Sequence, residues 1–464
     1  MQFIENKTFD EIKIGDSACL TRALHNDDIT LFAILSGDIN PAHVDADYAK
    51  TDFFHHIVAH GMWGGALISA VLGTELPGPG TIYLSQSLKF HHPIGIGDRV
   101  TVRVTVREKD EARHRLILDC ECRNQTDQVV IDGTAEVIAP TEKVKRPRTL
   151  LPELHLHVRG ERHRHMIEAA AAFPPMRMAV IHPCDALALN GALDARDAKL
   201  IAPVLVGPNA KIRKAAADAG RSIEGIEIID APHSHAAAQM AVELARAGKV
   251  EALMKGALHT DEIMGAVVAR DSGLRTERRM SHVFVLDVPT YPKLLFVTDA
   301  AINIAPTLED KRDIVRNVID LCHALGLANP KIALLSAVET VDSKINSTLD
   351  AAALCKMAER GQIQGGLLDG PLAFDNAISK SAAAEKHIVS PVAGDADVLL
   401  APDLEAGNIL AKQLIYLTGA DAAGIVLGAR VPIVLTSRAD NAEARVASCA
   451  VARLLVQYLQ GRPK

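Results

Sequence analysis

Aromatic side chains are scarce in this 464-residue sequence, at 3% of positions with a single Trp. That is too few for a base-stacking surface on the scale of the chain, so nucleic acid is not an expected partner. Positive charge is not in excess either. Lys plus Arg number 50 against 57 Asp plus Glu, a net charge of −7, and no overall field draws the chain to nucleic acid or anionic lipid. The seven cysteines are odd in number and form no CxxC pair, which argues against a disulfide framework or a structural zinc site. A reducing, cytoplasmic compartment is expected. No run reaches 18 uncharged apolar residues, and the first residues lack the basic-then-apolar order of a signal peptide, so neither a membrane span nor export is expected. What is present is 48% hydrophobic and 23% charged residues, a balance that builds globular cores from Ala, Val, Leu and Ile. At this length two or three domains are expected.

The texture changes near residue 140. Before it, runs such as Arg99 to Val106 and Leu116 to Cys122 alternate apolar and polar, the period of half-buried antiparallel strands. One long apolar segment interrupts them, Gly61 to Leu72, whose Gly64, Gly65, Ala66 and Ala70 suit a helix packed closely on a sheet. The reading is a curved sheet around one helix over residues 1–140, then a Pro-, Lys- and Arg-containing linker over 141–165. From 166 to 464, short apolar runs such as Met178 to Ile181 and Lys331 to Leu335 alternate with Ala-rich helical stretches. That is the pattern of buried parallel strands, whose ligands bind beyond the carboxyl ends. The glycine pairs Gly78/Gly80 and Gly95/Gly97 complete no dinucleotide fingerprint.

Two constellations carry chemistry. In the first, Ser36-Gly37-Asp38-Ile39-Asn40-Pro41-Ala42-His43 ends a helical pattern in a turn. A carboxylate and an imidazole five residues apart across it can converge on one small molecule for acid–base work. The plain alternative is Asp38 capping a turn with His43 on the surface, and a metal reading would recruit Asp45 and Asp47. Downstream, His60-Gly61-Met62 opens the apolar helix, whose unpaired backbone N–H groups can serve as an oxyanion hole.

These motifs, with Tyr83 to Phe90 and Gly97-Asp98, resemble the R-specific enoyl-CoA hydratases of the MaoC-like hot-dog family over about residues 5 to 138. The resemblance implies an α+β hot-dog domain in which Asp38 and His43 activate water for addition to a trans-2-enoyl-CoA, giving an R-3-hydroxyacyl-CoA. It implies that the Gly61 amide holds the thioester oxygen, that the Ser69 hydroxyl supports the site, that Asn40 contacts substrate and that His60 stands behind them. Hot-dog domains pair, so a dimer is implied.

In the second constellation, Met254-Lys255-Gly256 through Thr260 reads as a strand end, a turn and a helix start. Lys255 and Gly256 suit a phosphate cradle, with Thr260 capping the helix; a solvated lysine is the plain alternative. Near the end, Val431 to Leu435 runs into Thr436-Ser437-Arg438-Ala439-Asp440, where the arginine fork suits a phosphate; a helix N-cap with a surface arginine is the equal alternative. With Thr298 to Asn303, Asp369 to Ala377 and Ala393 to Asn408, these stretches resemble the phosphate acetyl/butyryltransferase family over roughly 166 to 462. The resemblance implies an α/β domain of two subdomains that moves an acyl group between CoA and phosphate. Arg438 would hold phosphate and Ser437 the developing charge. Asn303, Asp369, Asn376 and Asn408 would line the cleft. A base must take the thiol proton, and both Asp440 and Glu443 are candidates.

The expectation is therefore a two-activity acyl-CoA enzyme that uses CoA thioesters and phosphate as substrates, with no bound cofactor and no metal, and that forms a homo-oligomer. The alternatives leave an active hydratase fused to a non-catalytic acyl-CoA-binding domain or to a metal-dependent dehydrogenase, for which Asp395, Asp397 and Asp403 would supply carboxylates.

Overall fold

The computed structural model describes residues 3–149, 156, 160–435 and 441–461. The chain divides into two compact units, Met1–Leu156 and His157–Lys464.

In the first unit the elements run β1 (Phe3–Glu5), β2 (Ser17–Ala23), α1 (Asn26–Ser36), α2 (Pro41–Val44), α3 (Ala46–Thr51), α4 (Gly61–Thr74), β3 (Ile82–Phe90), β4 (Arg99–Asp110), β5 (Arg115–Arg123), β6 (Val129–Ile138) and β7 (Lys145–Pro147). Five of the strands form an antiparallel sheet in the order β2-β4-β5-β6-β3. Their alternation is realised: Val100, Val102, Val104 and Val106 on β4 and Leu116, Leu118, Cys120 and Cys122 on β5 are buried. They meet Trp63, Leu67, Ile68, Val71 and Leu72 of α4, each worth about 1.5–3 kcal/mol on burial. Helix and sheet approach closely because Gly64 has no side chain; a Cβ there would stand 2.2 Å from the Ile131 Cδ1.

The described parts of the stretch read as a linker join the two units' folds. Strand β7 pairs antiparallel with β1, and the buried Asn6 ties this corner by donating to Pro79 O and Glu142 O and accepting from Val144 N. At the other end, α5 (Glu161–Ala171) already belongs to the second unit. Charged residues in this segment look like solvated linker in the sequence, yet Lys143 and Lys145 pair with Glu5.

The second unit continues with β8 (Met176–Ile181), α6 (Ala186–Asp197), β9 (Ile201–Gly207), α7 (Asn209–Asp218), β10 (Glu227–Asp230), α8 (Ser234–Arg246), β11 (Ala252–Lys255), α9 (Thr260–Val268), β12 (Ser281–Asp287) and β13 (Leu295–Thr298). It ends with α10 (Leu308–Ala324), β14 (Lys331–Leu335), α11 (Asn346–Glu359), β15 (Leu367–Leu372), α12 (Phe374–Ile378), α13 (Lys380–Glu385), β16 (Val398–Leu400), α14 (Leu404–Thr418), β17 (Asp421–Leu427), β18 (Ile433–Val434) and α15 (Ala442–Gln460). All its strands join one sheet, ordered β10-β9-β8-β11-β18-β17-β12-β13-β16-β14-β15. The two expected subdomains appear as two parallel blocks, β10-β9-β8-β11-β18 and β13-β16-β14-β15. Between them β17 and β12 pair antiparallel with each other and with their outer neighbours, so the blocks run in opposite directions. Among the described residues no helix is long and apolar enough to cross a membrane.

Candidate active sites

The first site begins where α1 stops. Gly37, at φ +75°, takes the left-handed conformation that reverses the chain at a helix end. Asp38 N then donates to Ser36 Oγ at 3.2 Å, and Asp38 Oδ1 accepts from Asn40 N at 3.2 Å. Asn40 in turn caps α2 by accepting from Ala42 N, with Pro41 at the first helical position. This places His43 on α2, where its Nδ1 donates to Val58 O at 2.8 Å. Because the carbonyl can only accept, the proton of the neutral ring sits on Nδ1 and Nε2 keeps its lone pair.

His60 lies behind this pair and is only 2% exposed. Its Nε2 donates to the backbone oxygen of Asp38 at 2.9 Å, its ring stacks on that of His43 at 4.0 Å between centroids, and Phe32 packs on it at 5.0 Å. One potential ligand atom from each of Asp38, His43 and His60 lies within 4.8 Å of the others. Asp45 and Asp47, which the metal reading would add, are otherwise engaged: Asp45 caps α3 through Asp47 N and Tyr48 N, and Asp47 pairs with Lys50. Gly61 follows His60 as the first residue of α4, and a Cβ on it would stand 3.0 Å from the Phe90 ring. Ser69 is exposed on α4, about 12 Å along the axis from Gly61 at 1.5 Å per residue. The sequence thus brings Asp38, Asn40, His43, His60 and Gly61 to one locus, with Ser69 farther along the helix.

In the second unit, Lys255 ends β11 and is buried. Gly256 is needed there because a Cβ would stand 2.3 Å from Ile181 O. The following helix is capped differently from the expectation: α9 starts at Thr260 with His259 as its N-cap, and the Glu262 carboxylate accepts from His259 N at 3.3 Å. Thr260 itself is exposed. Strand β18 runs beside β11 in the same direction, with Met254 opposite Val434. Ser437, Arg438 and Asp440 lie outside the described residues. Beyond them Asn441 caps α15 by accepting from Ala444 N at 2.8 Å, and Glu443 lines a cavity of about 420 Å³ together with His163, Arg164, Asp421 and Asn441.

The remaining candidates sit in the other block. Asp299 follows β13 and gathers backbone N–H groups from His282, Ala301, Ile302 and Asn303. Burial pushes its carboxyl up while these bonds pull it down. Asn303 donates to Met280 O and Asp299 Oδ2 and accepts from the Arg279 guanidinium. Asn408 donates to Ala300 O, so both amides brace this turn. Ile302, on the turn, packs against an apolar cluster that also holds Leu258 and Leu435, which brings the turn to the block that carries Lys255. Asn376 stands apart: it follows β15, six strands from β18 in the sheet order, and is fully buried with neither side-chain polar atom bonded. Asp395 and Asp397 are neutralised by Lys293, with Lys331 also on Asp395, and Asp403 caps α14. No carboxylate set for a divalent ion forms from these three.

One further imidazole, His182, stands at a strand end without a sequence motif around it. It follows β8 directly, has φ +56°, and its Nδ1 donates to Ala257 O at 2.9 Å. The signal available in the sequence was its position after the apolar run Met178 to Ile181.

Residues 233–453 match the family model described as phosphate acetyl/butaryl transferase, and residues 11–125 match that described as a MaoC like domain. A phosphate acetyltransferase from Rhizobium meliloti is 63% identical over 289 residues, covering 62% of this chain and 92% of the relative. A phosphate butyryltransferase from Clostridium acetobutylicum is 42% identical over 279 residues, covering 60% of this chain and 93% of that one. Among solved structures, a branched-chain phosphotransacylase from Enterococcus faecalis aligns with 61% of this chain and 99% of its own at 29% identity and a TM-score of 0.54. An R-hydratase from Pseudomonas aeruginosa aligns with 34% of this chain and all of its own at 42% identity, with a TM-score of 0.33.

Proposed function

This chain belongs to the phosphate acetyl/butyryltransferase family and carries a MaoC-like hydratase domain ahead of it, and on that premise we propose how its residues perform two reactions on acyl-CoA thioesters. The reading of the second unit as a dehydrogenase or a non-catalytic domain is not favoured, given 63% identity to a phosphate acetyltransferase and the lysine-paired Asp395 and Asp397.

The observation that carries the hydratase reading is the bare His43 Nε2 beside the Asp38 carboxylate, next to the N-terminus of α4. Asp38 and His43 share one water; its oxygen adds to C3 of a trans-2-enoyl-CoA as one of the pair removes its proton and the other returns a proton to C2. Charge that builds on the thioester oxygen meets the Gly61 amide at the helix end, where the N–H groups have no partner within the helix. Asn40 holds the turn that presents both groups and offers its remaining polar atoms to substrate. Ser69 lines the outer face of α4, further along the acyl or pantetheine path.

In the second unit, CoA thiolate attacks the carbonyl carbon of an acyl phosphate; a C–S bond forms, the C–O bond to phosphate breaks and phosphate leaves. The reverse direction gives acyl phosphate and CoA. Arg438 and Lys255 hold phosphate, with Ser437 on the developing charge. Of the further contacts expected from the sequence, exposed Thr260 stands at the start of α9, Asn303 and Asn408 brace the turn that packs on this block, and Asn376, buried six strands from β18, stands apart from it; Asp440 and Glu443 are the sequence's candidate bases. The turn braced by Asn303 and Asn408, packed through Ile302 on the Leu258 and Leu435 cluster, supports a site at that block.

We further assign a homo-oligomer. Strand β3 is a sheet edge with Ile82, Leu84 and Phe90 exposed, and α14 exposes Ile409, Tyr416 and Leu417. Sheet edges and apolar faces of this kind are covered by association.

The test is phosphate-dependent release of CoA thiol from short acyl-CoAs, run beside hydration of crotonyl-CoA. Arg438→Ala should abolish the first and spare the second; Asp38→Asn should do the reverse. Retained hydration in Asp38→Asn, or retained phosphate dependence in Arg438→Ala, refutes the corresponding assignment.

A further inference from the structure

We propose that His182 is the general base of the transferase, the group that takes the proton from the CoA thiol; the inference rests on the transferase reading of the second unit. A free thiol has a pKa of about 8.5, so only a few per cent is thiolate at neutral pH and a base at the reacting sulfur is required.

His182 occupies the carboxyl end of β8, within the block where Lys255 ends β11 and Leu435 follows β18. The register puts Ile181 opposite Lys255 and Met254 opposite Val434, so the three strand ends stand side by side. Carboxyl ends of parallel strands are where open α/β sheets hold ligands.

Its backbone is in the left-handed region at φ +56°, a conformation that costs a non-glycine residue about 1–3 kcal/mol and persists only where its surroundings enforce it. Here they do. His182 N donates to Val206 O at 2.7 Å, its carbonyl accepts from Ala257 N at 2.9 Å, and Gly256 N donates to Ile181 O at 2.9 Å. Gly256 itself lies so close that a Cβ on it would be 2.9 Å from the His182 carbonyl carbon. The imidazole is then fixed by Nδ1–H to Ala257 O at 2.9 Å. In the neutral ring this leaves the lone pair on Nε2, which has no hydrogen-bond partner among the described residues and belongs to a half-buried side chain. His43 in the first unit is held in the same way, Nδ1–H to a backbone carbonyl with Nε2 presented. A base needs this: an orienting bond on one nitrogen and reach from the other.

Besides Asp440 and Glu443, which the variants below test, the following ionisable groups on the elements that meet there are committed elsewhere or unsuited. Burial pushes the Cys184 thiol up to about 11. Asp185 caps α6 through Ala188 N, and Asp230 accepts from Asn209 N. Glu262 takes Ser234, His235 and the His259 backbone. Lys211, whose charge pulls down on the Cys184 thiol, and Lys255 at the end of β11 are the cations, and the exposed His259 caps α9. In the step itself the CoA S–H proton passes to His182 Nε2, the thiolate attacks the acyl phosphate carbon, phosphate departs with the C–O electron pair, and the imidazolium returns the proton to phosphate or water.

Two variants test it in the full chain, with acetyl phosphate and CoA as substrates. His182→Asn keeps a side-chain N–H donor for Ala257 O and tolerates positive φ, but lacks Nε2. His182→Gly is at ease at this φ and leaves room for added imidazole. We expect His182→Asn to lose roughly 10²- to 10⁴-fold in kcat with little change in the KM for CoA, the acidic limb of the kcat/KM profile to vanish, and imidazole to restore turnover to His182→Gly. Wild-type kcat and pH profile in His182→Asn overturn the proposal, as does loss of that limb in Glu443→Gln or Asp440→Asn instead. A wild-type chain without transferase turnover overturns the transferase reading, an outcome distinct from an active wild type matched by an equally active His182→Asn.

Discussion

Replacing His60 by Phe separates the two things this buried ring does. Phenylalanine keeps an aromatic ring against His43 and Phe32, which lie 4.0 and 5.0 Å away between centroids, but it removes the Nε2–H bond to Asp38 O. A neutral hydrogen bond contributes about 0.5–1.5 kcal/mol net, and phenylalanine also removes His60 Nδ1, which is buried without a hydrogen-bond partner, so the net loss in stability should be at most about 1 kcal/mol. The turn keeps two ties, Asp38 N to Ser36 Oγ and Asn40 N to Asp38 Oδ1, each at 3.2 Å. The carboxylate therefore stays near its place while its backbone drifts, and a fall of about tenfold in kcat, or about 1.4 kcal/mol of barrier, is expected with KM little changed. His60→Ala also removes the ring beneath His43, at a cost of roughly 3–5 kcal/mol in stability, and should lower kcat further. The assay is hydration of crotonyl-CoA followed by loss of the enoyl thioester absorbance, with thermal unfolding of each variant alongside. Unchanged kcat in His60→Phe would refute the anchoring argument; equal kcat in the two variants would remove the stacking argument.

Two further predictions concern stability. Burial pushes the His282 imidazole down to about 4, so its folded pKa lies below the unfolded value of about 6.5. Its contribution to stability is complete above pH 6.5 and is lost as pH falls toward 4; buried Asp299, whose carboxyl is pushed up, acts in the opposite sense. Urea unfolding of the second unit should weaken over that window, and His282→Leu should flatten the dependence; an unaltered slope counts against it. In the first unit, a Cβ on Gly133 would stand 1.9 Å from Ser87 O, a backbone atom held in the β3–β6 ladder. Gly133→Ala should destabilise by about 3 kcal/mol, the upper end of overpacking. Gly73→Ala on α4, with nothing within 4 Å, should instead stabilise by about 0.5–1 kcal/mol, and the reverse ranking by calorimetry would contradict both.

The strands of the first unit were legible because one face is buried and the other wet, so Val100, Val102 and Val104 alternate with Thr101, Arg103 and Thr105. The sheet of the second unit was legible only in part. Fully apolar runs say that a strand is buried on both faces, but they carry no sign for its direction. The antiparallel insertion of β12 and β17 between two parallel blocks therefore left no mark in the hydrophobic pattern. Strand β7 was missed for a different reason: at three residues, pairing with a strand as short as itself, it has no period to read, and its Lys and Arg look like solvated linker.

The candidate sites divide along the same physical line. Asp38, Asn40, His43 and Gly61 were legible because local turns assemble them: helix end, Asx bond, proline at the first helical position, helix start. His182 was not, because its orientation comes from a carbonyl 75 residues away, Ala257 O, and from a glycine, Gly256, whose need is visible only once β8 and β11 lie side by side. The orienting acceptor is in both halves a backbone oxygen, Val58 O for His43 and Ala257 O for His182. A backbone acceptor has no residue identity, so the orienter of a catalytic imidazole leaves no motif in sequence when it is a carbonyl, whereas an Asp or Glu orienter would. The imidazole most easily overlooked from sequence is thus one placed by a long-range backbone contact, and positive φ at a strand's carboxyl end is the structural signal that exposes it.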